Sequence, residues 1–256
     1  MPFPSLVGRS AIVTGAARGL GLAAANRLVA EGCNVLFVGR SETVREMAEA
    51  AGQPWIVIDL SRPDAVSELF KESDRLFGPD LDILVNNAGI VGRSVPFEAL
   101  AVEDFRQVMA VNVDAALFAT QAAAKRMIPR KRGSIINLGS VGSIMGTAQQ
   151  IPYAVSKAAV KHLTSIAALS LAPHGVRINS VAPGPMQTGM AVQFSSERPE
   201  IMAAMLSRIP AGRFGTGDEI AAIIAFLASD EASYIFGQTI FAEGGRIALG
   251  YTVNMQ

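Results

Sequence analysis

Seven short apolar runs alternate along this chain with longer segments of helical periodicity. The runs occupy residues 11–14, 35–38, 55–58, 83–85, 134–138, 176–181 and 239–242. Runs that stay apolar without alternating are typical of strands buried on both faces, as in parallel sheets covered by helices. Because crossovers between parallel strands are right-handed, this order predicts a doubly wound, Rossmann-like α/β fold of about seven strands with helices on both faces.

Composition indicates a single domain spanning residues 1–256. The chain is 50% hydrophobic and 17% charged, and it has no internal repeat, low-complexity tract or linker rich in proline and serine. Only the region between Gly184 and Gly212 lacks an apolar strand, and a segment this long inside a compact domain is usually functional. We predict a substrate lid at about residues 185–212; helices packed on the core or on another subunit are the alternative.

Charge and cysteine content argue against several classes of protein. Lysine plus arginine and aspartate plus glutamate both total 22, so neither nucleic-acid nor membrane binding is expected. With Cys33 as the only cysteine, and with His162 and His174 apart, no disulfide or metal site is expected. No signal-peptide pattern opens the chain, and no apolar run approaches the roughly 20 residues that cross a bilayer. We expect a cytoplasmic protein.

A glycine-rich turn, Thr14-Gly-Ala-Ala-Arg-Gly-Leu-Gly21, joins the first strand to the first helix. Its spacing differs from G-x-G-x-x-G, but a helix start at this place offers free N–H groups to a pyrophosphate. Gly15 would let the backbone turn, and Gly19 would let the phosphates approach. A tight strand–helix turn explains one glycine easily and three less well, so we predict a dinucleotide site.

The end of the second strand indicates which dinucleotide is bound. Binders of NAD commonly carry an acidic residue near this point to accept the ribose hydroxyls, whereas this chain has Gly39 followed by Arg40. A guanidinium can bind a 2′-phosphate through charge-assisted, bidentate hydrogen bonds, and Arg18 could reach the same group. We therefore predict NADP(H), with NAD(H) the less favoured cofactor; a salt-bridged surface Arg40 is the alternative.

Tyr153 and Lys157 lie four residues apart. In a helix this spacing puts both side chains on one face, with Cβ atoms about 5–6 Å apart. One interpretation is an accidental surface pair. The other is a phenol that gives up its proton beside a cation that favours the phenolate. The spacing alone does not choose between them.

Three motifs together resemble the short-chain dehydrogenase/reductase family: the glycine turn, Asn86-Asn-Ala-Gly89, and Tyr153-Ala-Val-Ser-Lys157. The resemblance runs from about residue 8 to residue 245. It implies an NADP-dependent oxidoreductase that transfers a hydride between the cofactor and a ketone or secondary alcohol. The implied catalytic residues are Asn112, Ser140, Tyr153 and Lys157.

The resemblance also assigns roles. Tyr153 would be the general acid/base, Ser140 would hydrogen-bond the substrate oxygen, and Lys157 would favour the phenolate and hold the nicotinamide ribose. Asn112 would anchor a water that links Lys157 to solvent. The implied cofactor-binding residues are Gly15, Arg18, Gly19, Leu20, Gly21, Arg40, Ser41, Asp59, Leu60, Asn86, Ala88, Gly89, Tyr153, Lys157, Pro183, Gly184, Met186 and Thr188.

The substrate pocket is predicted to have a mainly apolar wall. It would be lined by Met145, Gln150, Met190 and Phe194. Such a wall favours a hydrophobic or medium-sized ketone over a free sugar. Relatives of this architecture are commonly homotetramers, so we predict a homotetramer whose interface uses the apolar residues 220–227 and the tail 247–256.

Other functions stay open at this point. A 3-oxoacyl-carrier-protein reductase could dock its acidic carrier protein on Arg130-Lys131-Arg132, although Pro173-His174 stand where such reductases commonly have a basic residue. An enoyl reductase is disfavoured, because it would resemble Tyr-x6-Lys and position 160 is Val160. A catalytically silent nucleotide-sensing scaffold on the same fold is the alternative from another class.

Overall fold

A computed structural model describes residues 3–146, 148–187 and 199–249. Its seven strands form one parallel sheet in the order β3-β2-β1-β4-β5-β6-β7. The strands are β1 Ser10–Thr14, β2 Asn34–Gly39, β3 Trp55–Val57, β4 Ile83–Asn86, β5 Gly133–Leu138, β6 Val176–Pro183 and β7 Thr239–Ala242. The predicted doubly wound fold is confirmed, because the order reverses direction between β1 and β4.

The described α-helices cover both faces of the sheet. They are α1 Gly19–Ala30, α2 Thr43–Ala50, α3 Ala65–Phe77, α4 Val102–Met109, α5 Ala115–Met127, α6 Ile151–Leu171, α7 Pro199–Leu206 and α8 Gly217–Ala228. One apolar core contains buried residues of α1, α2 and α8, and a second core contains those of α3, α5 and α6. None of these helices is long and apolar enough to cross a membrane.

Helix α8, part of the predicted subunit interface, packs one face against the core. Ile220, Ile224 and Leu227 are each at most 2% exposed, and they pack in the first core with α1. Ile223 and Phe226 of the same helix are only half-buried. The predicted use of residues 220–227 as a subunit interface therefore stays a prediction, and residues 250–256 of the predicted tail lie outside the described residues.

Apolar side chains that are more exposed occur on helices α5 and α6. They are Leu117, Phe118, Val155, Ile166 and Leu169, with exposures between 39% and 74%. In the segment predicted as a lid, helix α7 is described and residues 188–198 lie outside the described ranges. The lid itself stays a prediction.

Candidate active site

The sequence-predicted residues gather at the carboxyl edge of the sheet. In a parallel sheet all strands end at the same edge, and ligands bind there at the point where the strand order reverses. The glycine turn follows β1, the Asn86–Gly89 segment follows β4, Ser140 follows β5, and Gly184 follows β6. The fold alone thus places four separate segments beside one cleft.

The glycine turn fits the pyrophosphate of a dinucleotide. Gly19 has a φ of +58°, a conformation that favours glycine, and a Cβ built there would meet nothing within 4 Å. Within the described ranges no side chain caps the start of α1, so the N–H groups of its first turn remain open to an anion. This open side of the turn is where a phosphate can approach the backbone.

Two residues that the sequence did not single out as site residues hold this turn in place. The Thr14 hydroxyl accepts hydrogen bonds from the N–H groups of Asn87 and Ala88, both at 3.0 Å. The Asn87 amide donates to the carbonyl oxygens of Thr14 at 2.8 Å and Gly15 at 3.2 Å. The ends of β1 and β4 are therefore braced against each other. The repeated asparagine after β4 is the only sequence signal for this brace.

The side chain of Asn86 points away from the cleft. It is buried, and its amide donates to Asn137 Oδ1 at 2.9 Å and to Thr120 Oγ1 at 3.1 Å. Asn137 in turn donates to Thr164 Oγ1 at 2.9 Å. Any cofactor contact predicted for Asn86 must therefore come from its backbone.

Asn112 lies in a π-helical turn, Ala110–Asp114, that separates α4 from α5. Its Oδ1 accepts the Ile90 N–H at 2.8 Å, and its Nδ2 donates to Ile90 O and Ser156 Oγ, both at 2.9 Å. Such π turns occur frequently at functional sites. Here the turn lets one side chain tie the loop after β4 to helix α6. Both N–H donors of the amide are used, and its oxygen already accepts one hydrogen bond.

Tyr153, Lys157 and Ser140 come together as predicted. The Lys157 Nζ is 5.7 Å from the centre of the Tyr153 ring, which excludes an accidental surface pair because Lys157 is only 6% exposed. A Cβ built on Gly142 would lie 3.3 Å from Ser140 Oγ and 3.4 Å from Tyr153 Cε1. Ser140 Oγ also accepts the Gly142 N–H at 3.0 Å, which orients the hydroxyl.

Lys157 is a buried cation with a single described hydrogen-bond partner. Its Nζ donates to Leu138 O at 2.6 Å. Burial lowers the pKa of Lys157 from its usual 10.5 to about 8. A Cβ on Gly89 would stand 3.6 Å from this Nζ, so the loop after β4 passes directly beside the ammonium group. An ammonium has three donors, and the remaining ones are available to a ligand in the cleft.

The predicted adenosine end contains Arg40, Ser41, Asp59 and Leu60. Arg40 and Ser41 are exposed, and no ion pair joins Arg40 to another described residue. The pKa of Asp59 lies below its usual range, first because the Ser61 N–H donates to its Oδ1 at 3.0 Å and then because Arg40 and Arg62 lie nearby. Arg40 thus stands beside the adenosine end without being used in a surface salt bridge.

The predicted nicotinamide segment is held against β7. The Gly184 N–H donates to Ala242 O at 2.9 Å, and Met186 pairs with Gly215 in a short parallel bridge. Of the predicted substrate wall, Met145 and Gln150 are half-buried just before α6. Thr188, Met190 and Phe194 lie outside the described residues.

Comparison with known proteins identifies the family. A family model described as "Enoyl-(Acyl carrier protein) reductase" matches residues 15–246. The 3beta-hydroxysteroid dehydrogenase 1 of Eggerthella lenta is 40% identical over 251 residues, which cover 95% of each chain. The 3-oxoacyl-acyl-carrier-protein reductase FabG of Staphylococcus aureus is 40% identical over 244 residues, 93% of this chain and 97% of the relative.

The chain belongs to the short-chain dehydrogenase/reductase family. A solved gluconate 5-dehydrogenase from Burkholderia cenocepacia, in complex with NADP and tartrate, has a TM-score of 0.88 and 33% identity over 96% of this chain and 99% of that one. The protein is thus an oxidoreductase of this family that works with a nicotinamide dinucleotide.

Several residues of this short-chain dehydrogenase/reductase support the site through hydrogen bonds and are identified only by the structure. Thr14, Asn87 and Ser156 were not predicted as site residues, yet each is hydrogen-bonded to a predicted one. Ser156 lies between Tyr153 and Lys157 in sequence, and its hydroxyl donates to Tyr153 O at 2.7 Å. The available signal was a serine between two predicted catalytic residues on one helix.

Proposed function

We propose that this protein transfers a hydride between NADP(H) and a ketone or secondary alcohol, with Tyr153 as general acid/base. The observation that carries the proposal is the buried ammonium of Lys157 beside the Tyr153 ring, with Ser140 close to the same ring. When bound, the nicotinamide supplies or accepts the hydride. The protein's own residues move the proton and stabilise the oxygen.

Tyr153 gives its phenolic proton to the carbonyl oxygen during reduction and takes it back during oxidation. Lys157 favours the phenolate electrostatically, because an ammonium in a cleft of low dielectric interacts strongly with a neighbouring negative charge. Ser140 donates its hydroxyl hydrogen to the same substrate oxygen. The Gly142 N–H already occupies a lone pair of Ser140 Oγ, so the hydroxyl is held ready to donate.

Asn112 acts as a positioning residue in this proposal. Through Ile90 and Ser156 it fixes the loop that passes Lys157 and the helix that carries Tyr153. A water that relays protons from Lys157 to solvent would bind at the backbone of the π turn. The predicted lid at about residues 185–212 would close over the same cleft and exclude other water.

Preference for NADPH over NADH is the second part of the proposal, and Arg40 is its main cause. Charge-assisted hydrogen bonds contribute roughly 1.5–3 kcal/mol each, so one good pair implies about 10–150-fold discrimination. Arg40→Ala should lower kcat/KM for NADPH by that factor and change NADH little. Arg45→Ala is the matched control, because Arg45 is exposed on α2 and pairs with Glu49. A wild type that prefers NADH would contradict this part.

The substrate is proposed to be a hydrophobic or medium-sized ketone. Half-buried Met145 supports an apolar wall, and one relative is named a hydroxysteroid dehydrogenase. Purified protein should be assayed with NADPH and NADH against steroid ketones, sugar acids and acyl thioesters. Turnover confined to sugar acids would contradict the apolar wall, and no turnover with any member would favour the catalytically silent scaffold.

A carrier-protein reductase is the second candidate, favoured by the FabG relative. However, the two arginines of its predicted docking site already form ion pairs within the chain. Arg130 binds Asp82 at 3.0 Å and Asp80 at 3.3 Å, and Arg132 binds Asp82 at 3.3 Å. An acyl thioester reduced much faster on carrier protein than on a small thiol would support this candidate.

We also propose a homotetramer whose contacts use the exposed apolar side chains of α5 and α6. Leu169 is 74% exposed and Phe118 is 52% exposed, and apolar surface of this kind is typical of obligate interfaces. Light scattering at micromolar concentration should give four times the chain mass. Leu169→Glu should shift the distribution toward smaller species, and a monomeric wild type would contradict the proposal.

A further inference from the structure

The end of strand β2 packs directly against the first turn of helix α2. A Cβ built on Gly39 would lie 2.6 Å from Val44 Cβ and 3.0–3.1 Å from its two methyl groups. Real Cβ atoms essentially never come closer than 3.0 Å to a neighbour. Position 39 therefore requires glycine because there is no room for a Cβ. Backbone conformation is not the reason, since the φ of Gly39 is not positive.

We propose that Val44 is a specificity-determining residue for the dinucleotide. Its side chain fills the volume in which a side chain at position 39 would begin, and position 39 is where a carboxylate could accept the ribose hydroxyls of NAD. The chain thus excludes the acidic residue sterically, in addition to presenting Arg40. This inference rests on the proposed preference for NADP(H).

Neither partner in this contact can move easily. The Gly39 backbone is fixed, because its carbonyl oxygen accepts the Ile58 N–H at 2.7 Å and it is paired in register with Val57. Val44 is fully buried in the first core, and its N–H donates to Ser41 O at 3.1 Å. The shortest contact is to Val44 Cβ, which no side-chain rotation can displace. Helix α2 as a whole would have to move away from β2.

Position 40 differs from position 39 in this respect. Arg40 is exposed, so a charged side chain of either sign can stand there without displacing the core. Position 40 can therefore carry a side chain of either charge, whereas a charged side chain fits at position 39 only if residue 44 is smaller than valine. A change from NADP(H) to NAD(H) through position 39 would need a change at Val44 as well.

A double-mutant cycle tests the inference. The single variants are Gly39→Asp, Val44→Ala and Val44→Gly, and each Val44 variant is also combined with Gly39→Asp. Arg40→Asp is the control, because it introduces a carboxylate at an exposed position. The readouts are Tm without cofactor and Kd for NADPH and NADH by fluorescence. Gly39→Asp alone should lower Tm by about 2–12 °C and weaken both cofactors, whereas Arg40→Asp should leave Tm nearly unchanged.

The identity of residue 44 should decide whether the carboxylate is accepted. Because alanine keeps the Cβ, Val44→Ala should rescue Gly39→Asp only partly, whereas Val44→Gly should make the Tm loss caused by Gly39→Asp markedly smaller. The Gly39→Asp/Val44→Gly variant should shift the NADH-to-NADPH affinity ratio by at least about tenfold over wild type.

Two outcomes would overturn the inference. One is a Gly39→Asp variant that melts like wild type and prefers NADH. The other is a Tm loss from Gly39→Asp that is equal in the wild-type and the Val44→Gly backgrounds. Failure of the proposed cofactor preference looks different. It would appear as a wild type that already binds NADH more tightly, while the Tm cycle without cofactor would still measure the contact.

Discussion

The two edges of the sheet carry polar clusters of opposite character. At the carboxyl edge, the buried Lys157 ammonium has one described partner, Leu138 O. At the amino edge, the buried Asp82 carboxylate accepts hydrogen bonds from the Ser10 N–H and hydroxyl and pairs with Arg130 and Arg132. The buried charge at the carboxyl edge thus has no described partner of opposite charge, whereas the buried charge at the amino edge is surrounded by partners.

The amino edge also has a cleft. A cleft of about 740 Å³ opens at the amino edge, lined in part by Asp80, Asp82, Arg130 and Arg132. Its charges neutralise one another, so it has little left with which to bind a ligand. Burying a charge without a partner is costly and is kept where chemistry needs it. Unused hydrogen-bonding capacity at Lys157 therefore distinguishes the carboxyl edge, where the function is proposed, from the amino edge.

The largest expected effect would come from the proton donor at the carboxyl edge. Tyr153→Phe should lower turnover by about 10²–10⁴-fold, because general acid/base catalysis typically contributes this much, while cofactor affinity stays nearly unchanged. Steady-state kinetics and cofactor fluorescence measure the two quantities. Tyr234→Phe is the matched control, since Tyr234 is 97% exposed. Near-normal rates in the Tyr153 variant, with chemistry limiting turnover, would remove Tyr153 from its proposed role.

Removing the anchor of the amino edge should affect folding and leave chemistry intact. Asp82→Ala should lower the free energy of unfolding by about 2–4 kcal/mol, because Ser10 loses a buried acceptor and two arginines lose their shared partner. Denaturant melts measure this, and kcat/KM of the folded variant should stay near the wild-type value. Glu49→Ala breaks the exposed pair with Arg45 and should leave the free energy of unfolding nearly unchanged, because solvent screens this pair. A large loss of activity in folded Asp82→Ala would erase the distinction between the edges.

The uncompensated charge of Lys157 should appear as a pH dependence of stability. Between about pH 8 and 10.5 the unfolded chain holds more protons than the folded one, because the folded pKa of Lys157 is the lower. The contribution of Lys157 to the free energy of unfolding should therefore rise as the pH increases from about 8 to 10.5. Below pH 8, buried Lys157 should lower the free energy of unfolding.

Lys157→Met isolates this contribution. Without cofactor it should raise the free energy of unfolding at pH 7 by at most about 3 kcal/mol, reduced by the lost bond to Leu138 O, while turnover is lost. The difference between variant and wild type should shrink toward pH 10.5. A constant difference from pH 7 to pH 11 would mean that the ammonium carries no burial cost.

The fold and the proximity of Tyr153 and Lys157 were predictable because their signals are local. Seven apolar runs specified seven parallel strands, and the four-residue spacing of Tyr153 and Lys157 placed both on one turn of α6. The braces around them were not predictable, because Thr14, Asn87 and Ser156 act through hydrogen bonds to residues distant in the chain. The side-chain direction of Asn86 was missed for the same reason.

By itself the sequence determined which elements form, their order, and which residue types stand at the carboxyl ends of the strands. Tertiary structure alone decided which charges are compensated, that Ile220, Ile224 and Leu227 face the core, and that Val44 occupies the space over Gly39. Periodicity along a chain reports whether a side chain is apolar and on which face it lies. It does not report what lies opposite, because that depends on how separate elements pack.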